Sequence, residues 1–167
     1  PAQIAEAAKL IASAKHPLVW AGGGVHASDA AAVLAELQES CHLPVATTTM
    51  GKGAVDDAHP LTVGVIGYYM ATYSASKFMR PLVDEADVII AVGNRTNQNG
   101  TDSWQLLPKG ARLIHIDIDP QEIGRNHEAL RLVGDARATL SALQIALQSH
   151  DLSRRADVRS GIEARIT

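Results

Sequence analysis

With Cys41 as the single cysteine, the sequence has no means of forming an internal disulfide or an all-cysteine metal site. A buried, inert thiol is the ordinary fate of such a residue. No apolar run is long enough to cross a bilayer, and the opening "PAQIAEAAKLIASAKHP" lacks the basic-then-apolar pattern of a signal peptide. The formal net charge of −3 leaves no basic excess for nucleic acid or an anionic membrane. The seven histidines form no pair at metal-ligand spacing. There is no G-x-S-x-G elbow, no Walker loop and no Cys–His nucleophile pattern, so no metal site and no catalytic residue is expected in this chain.

What remains is a globular composition, 46% hydrophobic and 20% charged over 167 residues, sufficient for one ordinary domain. Helical spacing of Ile4, Ala7, Ala8 and Ile11 predicts a helix over Ala2 to Ala14. "PLVWAGGGV" then reads as a buried strand running into a glycine turn, and "HASDAAAVLAELQES" as a helix capped by Ser28 or Asp29. "LPVATTT", "ADVIIAVGN", "ARLIHIDIDP" and "LRLVGDA" are further strands, with a small one near Leu61 to Val65. Helices are expected at 71–82 and in "RATLSALQIALQ". Apolar strands alternating with helices predict a doubly wound, Rossmann-like α/β/α domain with a mostly parallel sheet of five or six strands. The domain is expected to occupy residues 1–149, with 150–167 as a C-terminal linker or helical extension.

Ligands of such sheets collect at the carboxyl ends of the strands. Gly22, Gly23 and Gly24 stand there, and Gly22, Gly24 and Ala27 fit the G-x-G-x-x-G/A spacing that lets a diphosphate approach backbone amides. The acid that a dinucleotide site requires is missing, since the second strand ends in Thr47, Thr48 and Thr49. The glycines also fit a purely structural sharp turn. Arg95, just past the "ADVIIAVGN" strand, suits a phosphate or an adenine face. Asp117 is placed to accept the hydroxyls of a ribose. Asp119 reads as turn and cap chemistry before Pro120, and Lys52 as a solvated side chain in a glycine turn.

Taken in order, "PLVWAGGGV", "LPVATTTMGKGAVDDAHPLTVGVIG", "ADVIIAVGNR", "IHIDIDPQEIG" and "VGDA" resemble the central domain of thiamine-diphosphate enzymes of the acetolactate synthase, oxalyl-CoA decarboxylase and pyruvate oxidase group. The likeness runs from about Ala2 to Gln148. It implies a parent enzyme, a lyase or carboligase acting on 2-oxo acids or acyl-CoA derivatives. There, flanking domains of the same polypeptide hold thiamine diphosphate and Mg2+ through a glutamate and a Gly-Asp-Gly motif. Neither is recognisable here, so the chain is expected to be a non-catalytic fragment of a cytoplasmic homo-oligomer. "VGDARAT", with Gly134 and Asp135, looks like the family's last strand-to-helix turn.

The family's central domain holds FAD, ADP or nothing. Resemblance places Gly22 to Gly24, Arg95 and Asp117 among its nucleotide contacts. Where FAD users carry Arg-Phe-Asp-Asp-Arg, this sequence has "NRTNQNGTDSW", which leaves an adenine nucleotide (ADP or FAD), a coenzyme A portion or an empty site open. The rival to nucleotide binding is a scaffold that spaces the catalytic domains and helps form the oligomer.

Overall fold

In the computed structural model, which describes residues 1–166, six parallel strands form one sheet in the order β3-β2-β1-β4-β5-β6. They are β1 (Pro17–Ala21), β2 (Val45–Thr47), β3 (Thr62–Val65), β4 (Val88–Val92), β5 (Arg112–Asp117) and β6 (Leu130–Val133). Strand residues alternate between faces. Val19, Ala21, Ile90, Val92, Ile114 and Ile116 therefore pack under helices α1 (Ala2–Ser13), α3 (Ala31–Ser40) and α5 (Ala136–Leu147). Leu18, Trp20, Ile89, Ala91 and Leu113 face the other way, against Ile66, Met70, Leu106 and Val83 of the short helix α4 (Arg80–Asp84). The doubly wound α/β architecture is as expected, and the small strand near Leu61 is β3. Among the described residues no helix is long and apolar enough to cross a membrane.

Two helices differ from the sequence expectation. The segment starting at His26 is broken into α2 (Gly24–Ala27) and α3, and neither Ser28 nor Asp29 caps α3, whose N-cap is Ala30. Asp29 adopts a left-handed φ of 52°, its N–H donates to His26 O, and Ala30 N–H donates to Val25 O. This 5→2 and 6→1 pair is the Schellman closure, with Asp29 where glycine is usual and buried Val25 and Ala30 as its apolar contact. Asp29 thus ends a helix instead of starting one. The helix expected over 71–82 is a 3-10 turn, Ala75–Met79, running into α4, with another 3-10 turn, Gly67–Met70, just before it. Pro81 lies in the first turn of α4, the place where a missing N–H costs nothing, so it starts a helix there and does not continue an earlier one.

The C-terminal tail folds as α6 (Ser153–Ile166), and Thr167 lies outside the described residues. Arginines dock it more than apolar groups do: Arg165 forms a two-pronged pair with Glu85 at 2.8 and 3.0 Å, and Arg159 reaches Glu39 at 2.8 Å. Arg159 and His59 together hold the Glu39 carboxyl down at about 2. Because that folded value is below the unfolded one, the stabilisation is complete above about pH 4.5 and is lost as pH falls towards 2. The Glu39 carboxylate is exposed although Arg159 is half-buried, so solvent limits the worth of the pair to about 1 kcal/mol or less. Glu39→Gln should accordingly flatten the stability profile between pH 4.5 and 2, read by urea unfolding, and an unchanged slope would refute the coupling.

Candidate functional site

β1 and β4 lie side by side at the centre of the sheet, and the chain winds outward from them in opposite directions. Their following loops therefore diverge, leaving a crevice at the strand ends. A cleft of about 550 Å³ opens there, within the usual size of a small-molecule site. Gly22, Gly23, Gly24, Arg95 and Asp117 all line it, so the structure brings every expected site residue to one place. Thr48, Thr49 and Met50 after β2 add a second wall, and Asn94, Asn97, Asn99 and Gly100 extend the wall that carries Arg95.

The glycines are needed for a different reason than the spacing suggested. A Cβ on Gly22 would stand 2.2 Å from the carbonyl oxygen of Gly93, and one on Gly24 would stand 2.5 Å from the Cα of Gly93. The loops after β1 and β4 thus touch backbone to backbone. Gly22 N–H donates to Val92 O and Gly24 N–H to Gly93 O, at 2.9 and 3.0 Å. These two amides are engaged by protein and are not free to cradle a diphosphate, which corrects the expectation drawn from the motif. Gly93 completes the joint with φ 54°, a conformation that a side chain would strain.

Arg95 is exposed and has no ion-pair or hydrogen-bond partner among the described residues, so its guanidinium is available to an anion. It stands on a ridge, lining the main cleft on one side and a hollow of about 280 Å³ beside Trp104 and Asn126 on the other. Asp117 is buried, and one carboxylate oxygen accepts the Asp119 N–H at 2.9 Å. Its other oxygen has no partner among the described residues. Beneath the cleft, His115 is 1% exposed and its Nε2 lies 2.7 Å from Asn94 O. A carbonyl only accepts, so Nε2 carries the proton; burial pulls the ring's pKa down and keeps it neutral. His115 thereby pins the loop that carries Arg95.

Lesser candidates take structural roles. Asp119 accepts the Gln121 N–H at 2.8 Å, which is turn chemistry, and Lys52 pairs with Asp57 on the surface. Cys41 is buried, and burial pushes its thiol pKa up. Asp135 is the N-cap of α5, accepting the Ala138 N–H at 2.9 Å. Asn97, Asn99 and Gly100 were not singled out from the sequence. The signal was there, as three asparagines within six residues after a strand end, but nothing in the spacing says which way they face.

Residues 4–143 match the family model described as the thiamine pyrophosphate enzyme central domain. The chain is 43% identical over 148 residues to a probable acetolactate synthase large subunit of Methanocaldococcus jannaschii, covering 88% of this chain and 24% of that protein. It is 40% identical over 141 residues to an acetolactate synthase of Arthrospira platensis, covering 84% and 24%. An acetolactate synthase of Mycobacterium bovis is 37% identical over 151 residues, covering 90% and 24%. The chain thus spans about a quarter of the length of these curated relatives.

Proposed function

This chain belongs to the family of thiamine pyrophosphate enzyme central domains, and from that membership we propose that it is the nucleotide-holding, non-catalytic unit of an acetolactate synthase-like enzyme. The observation that carries the reading is the meeting of Arg95, Asp117 and the Gly23 turn on one cleft of about 550 Å³ at the switch point of the sheet. The residues fit an adenine nucleotide: an unpaired guanidinium suits the phosphates, and the free Asp117 oxygen suits a ribose hydroxyl. In the parent, thiamine diphosphate supplies the chemistry on a 2-oxo acid or acyl-CoA derivative. That cofactor and Mg2+ are held mainly by flanking domains of the same polypeptide, in a cytoplasmic homo-oligomer. This chain's own residues bind and orient the second nucleotide. Calorimetric titration of the chain with ADP, FAD, NAD and coenzyme A tests this. Saturable binding of ADP or FAD is expected, and no binding by any of the four would leave only a scaffold.

A separate observation favours the scaffold as the second reading. The sequence holds only two Trp, three Tyr and one Phe, and all but Trp20 are substantially exposed. Tyr68, Tyr69, Tyr73 and Phe78 lie in the irregular segment after β3, and the Tyr68 hydroxyl meets the Ser103 hydroxyl at 2.9 Å, next to Trp104. Aromatic residues are enriched where proteins meet. This face suits contact with the flanking domains.

A further inference from the structure

At the foot of the sheet, before β1 and opposite the strand-end cleft, a second hollow of about 580 Å³ lies between the 12–16 segment and the first turns of α6. Its polar lining is Ser13, Lys15, His16, Asp151, Arg154 and Arg155. Arg155 is only 5% exposed, yet its Nε and Nη2 meet no acceptor. Its Nη1 reaches Cys41 O at 3.5 Å, the outer limit of a hydrogen bond. The side chains of Lys15 and Arg154 have no ion-pair partner among the described residues. The two nearby acids accept their hydrogen bonds from other groups and reach the guanidinium groups only through space: Asp87 accepts the N–H groups of Lys15 and His16 at 2.7 and 2.9 Å while its charge acts on Arg155, and Asp151 accepts the N–H of Ser153 at 2.9 Å while it faces the charge of Arg154.

Buried charges in proteins are paired, and an arginine cannot escape the requirement by losing its proton. A guanidinium closed off from water with two N–H-bearing nitrogens unanswered is thus half of an interaction. The hollow is lined by that side chain, and Lys15 and Arg154 outweigh the single carboxylate of Asp151 around it, a cationic excess that concentrates anions at its mouth. We propose that this hollow is a binding site for a small oxyanion, a carboxylate or phosphate group, gripped by Arg155 with Lys15 and Arg154 at the entrance. The fork of the guanidinium matches the two oxygens of such a group. The site stands apart from the nucleotide cleft and does not depend on it.

The test is thermal unfolding of the full chain in rising inorganic phosphate or acetate, with chloride holding the ionic strength constant. A ligand that binds only the folded state raises Tm along a saturating curve. The wild type should give that curve with at least one of the two anions; phosphate alone points to a phosphate-bearing ligand, and acetate as well points to a carboxylate. Arg155→Met should abolish the response, and Lys15→Ser combined with Arg154→Ser, both at exposed positions, should weaken it about tenfold in concentration. Run in an Arg95→Ala background, which removes the phosphate contact of the strand-end cleft, the titration should still give a saturating rise, and its loss there would assign the rise to that cleft and overturn the proposal. No saturable rise with either anion, or an equal rise in the Lys15→Ser/Arg154→Ser variant, overturns the proposal, and that double variant decides the matter if Arg155→Met does not fold.

Discussion

Gly22→Ala should destabilise the chain by about 2–3 kcal/mol, the upper part of the range for forcing an extra carbon into packed structure. The new Cβ would lie 2.2 Å from Gly93 O and 2.8 Å from the Cα of Asn94, and backbone cannot yield as the end of a flexible side chain can. Relief requires the two loops to part, which endangers the bonds from Gly22 to Val92 and from Gly24 to Gly93. For a chain of this size the loss corresponds to a fall in Tm of roughly 5–10 °C. Gly161→Ala supplies the opposite sign. Nothing lies within 4 Å of a Cβ there, in the interior of α6, so the change should raise stability by up to about 1 kcal/mol. If Gly22 served ligand access alone, its substitution would weaken nucleotide binding and leave Tm within a degree of the wild type. That result would remove the loop-to-loop joint as the reason for the glycine.

The same glycines show how far the sequence could be read. A strand, three glycines and a helical pattern located the cleft, because the periodicities of strand and helix survive in the order of apolar residues. They did not say what the glycines touch: Gly93 is 71 positions from Gly22, and only the adjacency of β1 and β4 brings the two together. Strand order is a long-range property, so the joint stayed hidden while the elements did not. Local signals also misled where a rare conformer won. Asp29 resembles an N-cap by composition, yet it occupies the left-handed position after α2, where Asn or Gly would have been recognised. Arg155 shows the converse. In a tail rich in charge and poor in apolar residues, an inward-facing arginine looks like its exposed neighbours until α6 is seen to fold back on the end of α3.

Arg95→Ala should lower nucleotide affinity about 10- to 100-fold, the worth of a charged hydrogen bond withdrawn from a phosphate. Because Arg95 has no partner among the described residues, its loss should leave Tm unchanged, which separates a binding role from a structural one. The wild-type affinity should fall with salt, and the variant's less steeply, since the contact sits at an exposed rim. Asp117→Asn needs a finer reading, because one of its oxygens already holds the Asp119 N–H and asparagine can keep that bond through its own carbonyl. What asparagine lacks is the second anionic acceptor, so the loss should appear with ADP and vanish with a deoxyribose analogue lacking the hydroxyl that Asp117 receives. Titrating both proteins with both ligands closes a double-mutant cycle, and a coupling well above about 0.5 kcal/mol assigns the hydroxyl to this carboxylate. Additive losses would place the ribose elsewhere in the cleft, and an Arg95→Ala variant that binds ADP like the wild type would take the phosphates away from this rim.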